Sequence, residues 1–172
     1  MKKKNNILII GHKSFIGSHL LNKLNSKNNN IYLISKKVDK KIFTKREFKF
    51  DVFNDFRWFK HLKNNMIIYF LAFNNNLYDL EKKREYILKI INFSIKFNKH
   101  LIKKKIKVKL IFTSTATIYG LTNKTQIVNE KLPDKPLSVY DLSKLYFEKI
   151  FTHYSKNKHL KFVSLRLVNI YG

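Results

Sequence analysis

The 172-residue chain has no cysteine, which excludes a disulfide framework, a thiolate metal site and a cysteine nucleophile. Acidic residues are few, with 11 Asp and Glu against 36 Lys and Arg, for a formal net charge of +25. Arginine is scarce as well: it stands only at positions 46, 57, 84 and 166, so lysine carries almost all of the positive charge. A reader of nucleic-acid sequence uses arginine for bidentate contacts and gathers its charge on one face. Here lysine is scattered from Lys2 to Lys161, which argues against specific nucleic-acid recognition. Electrostatic attraction to polyanions is still expected. The longest apolar run, Met66 to Phe73, falls far below the roughly 20 residues that cross a bilayer, so no membrane span is expected. The basic Met1–Lys4 start resembles a secretory leader, but the apolar stretch behind it, Ile7 to Ile10, is too short for one. A soluble, cytoplasmic chain is the expectation. Glycine and proline are rare too, with four and two copies. Each glycine is therefore expected where a side chain is costly.

Hydrophobic residues make up 44% of the chain and aromatics 15%, too many for a disordered polycation and enough for the core of one domain. The apolar run Ile7–Ile10 ends at Gly11 and predicts a buried strand, and Phe15, Ile16, Leu20, Leu21 and Leu24 follow at helical spacing. Further strands are predicted at Ile31–Ile34, Phe48–Val52, Met66–Ala72, Val108–Thr113 and Phe162–Leu167. Helices are predicted over Glu81–Lys105, where apolar residues recur at three and four, and over Ser138–Tyr154. Strands alternating with helices, with no repeat and no linker, predict an α/β doubly wound parallel sheet with helices on both faces, one domain over residues 1–172.

The segment from Ile7 to Leu20 has the form strand, glycine turn, helix. Gly11 permits the sharp turn and Gly17 a close helix–strand approach, and the pyrophosphate of a dinucleotide would sit on the helix N-terminus. Ser14 holds the middle position, where glycine commonly lets phosphates approach; serine is small enough to be tolerated there. The string resembles the opening Thr-Gly-Gly-x-Gly-Phe-Ile-Gly-Ser-His-Leu of the extended short-chain dehydrogenase/reductases, the NAD-dependent epimerase/dehydratase family. The resemblance runs over almost the whole chain. Asp51-Val52 resembles the family's acidic pair after the third strand, which contacts adenine. Tyr69-Phe70-Leu71-Ala72 resembles the strand end beside the cofactor, and Phe112 to Gly120 the Ser-Ser-Ala-x-Val-Tyr-Gly strand. Pro133 to Lys144 resembles Pro-x-x-Pro-x-x-x-Tyr-x-x-x-Lys, and Leu165 to Gly172 resembles Leu-Arg-x-x-Asn-Val-Tyr-Gly. All four glycines and both prolines fall inside these motifs.

Tyr140 and Lys144 are four residues apart on a helix and so share one face. A phenol is a poor base at neutral pH, and a neighbouring ammonium with a cationic nicotinamide would favour its phenolate. By the resemblance, Tyr140 is the acid/base, Lys144 assists it and bonds the nicotinamide ribose, and Thr115 bonds the substrate oxygen. The reaction implied is hydride transfer between a sugar carbon and nicotinamide. The family's 4,6-dehydratases carry Asp-Glu after the position of Thr115; Ala116 and Thr117 stand here, so an epimerase or keto-sugar reductase fits better. The cofactor site implied comprises Gly11, Ser14, Phe15, Ile16, Gly17, Lys36, Lys37, Asp51, Val52, Leu71, Ala72 and Lys144. Substrate contacts are implied for Thr115, Tyr140 and Asn169.

The cofactor is NAD or NADP. NAD-specific sites end their second strand in a carboxylate that accepts the ribose hydroxyls. Ser35, Lys36 and Lys37 stand there instead, and favour NADP(H). The histidines show no metal spacing, and His12 and His19 flank the turn without an evident partner. Trp58 reads as core and Arg166 as structural. The family's C-terminal substrate domain has no counterpart in these residues, and its members pair through a helix bundle, for which Leu145, Phe147, Ile150 and Phe151 are candidates for a homodimer or for the core. The leading reading is thus a sugar-nucleotide enzyme in shortened form. The alternatives are a non-catalytic dinucleotide-binding remnant and a basic nucleic-acid-binding protein.

Overall fold

The computed structural model describes residues 4–24, 28–36, 46–73, 80–121 and 127–171. Six strands form one parallel sheet: β1 (Asn5–Ile10), β2 (Asn29–Ser35), β3 (Glu47–Lys49), β4 (Met66–Phe70), β5 (Val108–Thr115) and β6 (Leu160–Leu167). Their order is β3-β2-β1-β4-β5-β6, so the chain leaves β1 in one direction for β2 and in the other for β4. The C-terminal ends of β1 and β4 therefore flank the point where the winding reverses, the place where such sheets open a crevice for ligands. Ile7–Ile10 pairs with Ile31–Ile34 on one side and with Ile67–Phe70 on the other.

Among the described residues three α-helices cover the sheet, α1 (Phe15–Lys23), α2 (Leu80–Lys104) and α3 (Val139–Tyr154). On the α1 side, Leu20, Leu21 and Leu24 pack on Ile7, Ile9 and Leu33. On the other side, α2 and α3 meet over Leu8, Ile10, Ile34, Ile68, Phe70, Leu110 and Phe112. This is the expected doubly wound sheet. Strand alternation explains the split: Leu8 and Ile10 point to one core, Ile7 and Ile9 to the other.

The larger core is unusually aromatic. The Phe147 ring, on α3, stacks between Phe112 and Phe151 with centroids 4.3 Å from each. Phe93 and Phe97 on α2 meet Trp58 and Phe59 across it. Trp58 is fully buried, as the sequence predicts, but its setting is new: it sits on a 3-10 helix, Phe56–His61, that the periodicity did not show. Phe147 and Phe151 are consumed by this core, while Leu145 and Ile150 are only half-buried.

Element ends differ from expectation where side chains intervene. β3 stops at Lys49 rather than Val52. The cause is Asp51, whose carboxylate accepts the Phe53 N–H at 3.2 Å while its carbonyl accepts from Asn54 and Asp55, turning the chain away. β4 ends at Phe70, β5 runs on to Thr115, and β6 starts earlier, at Leu160. Arg166 is structural as expected: its guanidinium reaches Glu148 of α3 at 2.7 Å and Asp134 of the preceding loop at 2.8 Å.

Truncating Phe147 to alanine removes the centre of the stack. A loss of about 3–5 kcal/mol is expected, read as a lowered urea midpoint with unchanged slope.

Candidate active site

The turn after β1 is held by its own side chains. Gly11 adopts φ +87°, and a Cβ there would lie 2.9 Å from the Ala72 backbone nitrogen. A Cβ on Gly17 would collide with the Gly11 carbonyl oxygen and come within 2.7 Å of the His12 Cα. Between them, Ser14 is the N-cap of α1: its hydroxyl accepts the Gly17 N–H at 3.1 Å and donates to the Gly11 carbonyl at 2.8 Å. The serine that replaces glycine thus turns its side chain into the turn and locks it. The first N–H groups of a helix have no intrahelical acceptor, and Phe15 and Ile16, which carry them, line a cavity together with Ser14.

Two cavities open at this end of the sheet. One, of about 390 Å³, is lined by residues that include Gly11, Ser35, Lys36, Val52, Ala72 and Phe73. The other, of about 410 Å³, is lined by residues that include Ser14, Leu71, Phe73, Thr115, Tyr140 and Lys144. Leu71 and Ala72 therefore face different cavities, and Phe73 borders both. The glycine turn lies between them, with Gly11 in one lining and Ser14 in the other. Of the sequence-predicted residues, Ser14, Phe15, Ile16, Leu71, Thr115, Tyr140 and Lys144 share the second cavity, Gly11, Lys36, Val52 and Ala72 the first, and Gly17 and Asp51 line neither.

Lys36 lines the first cavity, and its ammonium pairs with Asp51 at 3.1 Å. Burial pushes the Asp51 carboxyl up, but hydrogen bonds from Asn54, Lys36 and Phe53 outweigh it and hold the group below its ordinary value. Lys37 lies outside the described residues. Asn169 is exposed, and the second cavity is bordered by its neighbours Val168 and Ile170 rather than by Asn169 itself.

Lys144 is 3% exposed. Its ammonium donates to the Thr113 carbonyl at 2.5 Å and lies over the rings of Phe73, Phe112 and Tyr140 at 4.5, 4.8 and 5.4 Å. Burial pushes it down from the usual lysine value to about 7, with Glu148 pulling the other way. Tyr140 is shifted opposite to the expectation: burial raises the phenol, and the adjacent Asp141 carboxylate raises it further. The cause is that the phenol is half-enclosed beside an acid, while the nearby lysine is itself half-discharged near neutrality.

Two features were not read from the sequence. The Ser114 hydroxyl, buried between Thr113 and Thr115, has no protein partner and lies in the lining of the second cavity. The signal available was only its place in a strand end rich in hydroxyls. His12 does have a partner, Glu47 at the start of β3, with Nε2 3.1 Å from Oε1 and both side chains buried. Burial lowers the His12 pKa, and Glu47 opposes that. Their 35-residue separation hid the pair. Among the described residues no cluster of His, Asp or Glu could hold a metal, and no helix is long and apolar enough to cross a membrane.

A parallel sheet with a glycine turn at its reversal point and a Thr–Tyr–Lys cavity beside it defines a dinucleotide-binding fold of the dehydrogenase/reductase type. The chain belongs to the NAD dependent epimerase/dehydratase family, which it matches over residues 7–172. It is 26% identical over 176 residues to a UDP-glucose 4-epimerase of Lactobacillus helveticus, covering 96% of this chain and 52% of that one. It is 28% identical over 189 residues to the protein CapI of Staphylococcus aureus, covering 96% and 54%. Among solved structures, UDP-glucuronic acid 4-epimerase from Bacillus cereus in complex with NAD superposes with a TM-score of 0.79 at 27% identity, covering 97% of this chain and 57% of that one. The chain spans about half the length of the curated relatives it matches.

The cost of burying the Lys144 ammonium is greatest below pH ~7 and is relieved as pH rises toward ~10.5. In that window the unfolded chain binds the proton and the folded chain does not, so stability rises with pH. Lys144→Met removes this dependence. Urea unfolding should show the variant's stability relative to the parent falling between about pH 7 and about pH 10.5.

Proposed function

We propose that the chain forms the cofactor-binding and proton-transfer part of an NAD(P)-dependent sugar-nucleotide epimerase or keto-sugar reductase. The observation that carries this reading is the single cavity in which Ser14, Phe15 and Ile16 of the helix start meet Thr115, Tyr140 and Lys144. The groove fits a dinucleotide on physical grounds: glycines where a Cβ collides, free helix N–H groups at its floor, and the unpartnered Ser114 hydroxyl in its wall. Bound there, nicotinamide would supply the hydride acceptor and donor.

The chain's own residues would divide the remaining work. Tyr140 exchanges the proton of a sugar hydroxyl. Lys144, with its ammonium lowered to about 7 by burial, stands near that phenol as a proton-holding group and would bond the cofactor ribose. Thr115 holds the substrate oxygen. The relatives' names point to a UDP-sugar as substrate and to C4 as the reacting carbon. Elimination of water is disfavoured because Ala116 and Thr117 follow Thr115. Asn169 would lie at the substrate rim, and cytoplasmic location and pairing of two copies belong to the same reading.

The finer proposal for the cofactor is NADP(H). It rests on Ser35 and Lys36 at the end of β2, a strand end whose own sequence carries no carboxylate to repel a 2′-phosphate. Against it stand the Lys36–Asp51 pair, which would have to open, and the NAD printed for the Bacillus cereus enzyme. A non-catalytic remnant that binds the dinucleotide without turnover is the second reading, favoured by the raised Tyr140 phenol.

Thermal unfolding with NADPH, NADH or neither separates these. A ligand at about a hundred times its Kd adds about 2.7 kcal/mol, a rise of about 5–10 °C for a domain of this size. NADPH is expected to stabilise the parent more than NADH does, Lys36→Glu to reverse that order, and Gly17→Trp to abolish both shifts. Stabilisation by NADH alone would overturn the NADP(H) preference, and no shift with either would overturn the cofactor site. With cofactor bound, turnover of a UDP-sugar should fall at least about a hundredfold in Tyr140→Phe. A parent that binds the cofactor but turns over no UDP-sugar would leave the cofactor-binding part of the proposal standing and its proton-transfer part without support.

A further inference from the structure

Asp141 follows Tyr140 and is buried at 5% exposure. Its two carboxylate oxygens have separate tasks. Oδ2 accepts the Ser138 backbone N–H at 3.1 Å and the Ser138 hydroxyl at 2.7 Å, completing the capping box of α3. Oδ1 accepts the Thr117 hydroxyl. Thr117 in turn lies 2.8 Å, oxygen to oxygen, from the Thr115 hydroxyl.

The protons in this chain can be counted. A hydroxyl has one proton and two lone pairs, and a carboxylate has only lone pairs. Thr117 gives its single proton to Asp141, so toward Thr115 it can only accept. Thr115 must therefore spend its own proton on Thr117. One Thr115 lone pair is already taken by the Thr117 N–H at 3.2 Å. What Thr115 has left for the cavity is one lone pair and no proton.

We propose that Asp141 is a positioning residue that fixes Thr115 as a hydrogen-bond acceptor, so that this site grips a ligand's O–H rather than a carbonyl oxygen. It rests on the reading of Thr115 as the residue that meets the substrate oxygen. The consequence is an asymmetry between the two sides of the proposed reaction. A resting sugar alcohol can donate to Thr115, and its one proton must turn from Thr115 to Tyr140 before it is transferred; a ketone oxygen finds no donor at Thr115 and is left to Tyr140. A carboxylate reaching Thr117 from α3 therefore does what a carboxylate next to Thr115 could not: it sets direction without entering the cavity, whose lining does not include it.

Two measurements on the full chain test this. The first needs no ligand: the Thr115 hydroxyl proton is followed by NMR in the parent and in Thr117→Val. Slow exchange with water in the parent, with a cross-peak to the Thr117 side chain, and fast exchange in the variant are expected; equal exchange in both overturns the proposal. The second compares binding of UDP-glucose with its 4-deoxy-4-fluoro analogue, which cannot donate, in the presence of NAD or NADPH. The parent should prefer the hydroxyl ligand about three- to tenfold, the span of one hydrogen bond. That ratio should fall toward one in Thr117→Val. The same fall is expected in Asp141→Asn, whose amide can donate to Thr117 and reverse the chain. Thr117→Val keeps the capping box, so an unfolded Asp141→Asn does not remove the test. An unchanged ratio in a folded Thr117→Val overturns the proposal. A protected Thr115 proton with neither sugar bound would leave the hydroxyl orientation standing and show that the O–H it grips in this chain is not that of UDP-glucose.

Discussion

The whole site depends on one close approach, that of α1 to the turn at the end of β1. Gly17 leaves no room for even a methyl group against the Gly11 carbonyl and His12. That contact fixes where the helix begins, and so where its free N–H groups point. From there the geometry propagates along the sheet. Gly11 abuts Ala72, two residues past β4, which sets the wall between the two cavities. Ser14 closes the turn with two hydrogen bonds of its own. A serine at this position sacrifices some room for phosphates and in exchange makes the helix start less dependent on a ligand to order it.

The second constraint comes from the other face. α3 carries Tyr140 and Lys144 on the same helix as Phe147 and Phe151, so the depth at which it seats in the aromatic core sets the height of the site residues above β5. The core is large side chains against large side chains, and such packing resists small displacements. Lys144 is then carried into a place where its ammonium lies over the rings of Phe73 and Phe112, with the Thr113 carbonyl to receive it. The site and the core are therefore one packing problem.

The sequence carried most of the architecture because its signals are local. The run Ile7–Ile10, the glycine spacing and the long apolar periodicity of Glu81–Lys105 each sit within a few turns of chain, and each recurs in the structure. The grouping of Thr115, Tyr140 and Lys144 was legible through the family resemblance, which encodes a contact between β5 and α3 that spacing alone does not. What escaped was non-local or depended on a side chain's choice of partner. His12 and Glu47 meet only because β3 lies beside β2, which lies beside β1. The end of β3 is decided by the Asp51 side chain rather than by apolar pattern. The 3-10 helix around Trp58 is too short to show a period. The Tyr140 phenol is raised first by burial and then by Asp141, and burial is a property of the packed helix that the Tyr-x-x-x-Lys spacing does not show.

Composition and site chemistry part ways most clearly at lysine. A chain with +25 net charge invites the idea that its function lies in its charge. Among the described residues, almost every lysine other than Lys144 is exposed and keeps its ammonium in water, where it is screened and interchangeable. Lys144 differs only in where it stands. Stripped of water, it loses most of its preference for the proton, and a group with a pKa near neutrality can hold or release one at little cost. The other cation of interest, Lys36, remains largely exposed and tied to Asp51, so it can act on a ligand only by attraction at the mouth of its cavity. Among the described residues, position and not abundance separates Lys144 from the lysines that make the surface basic.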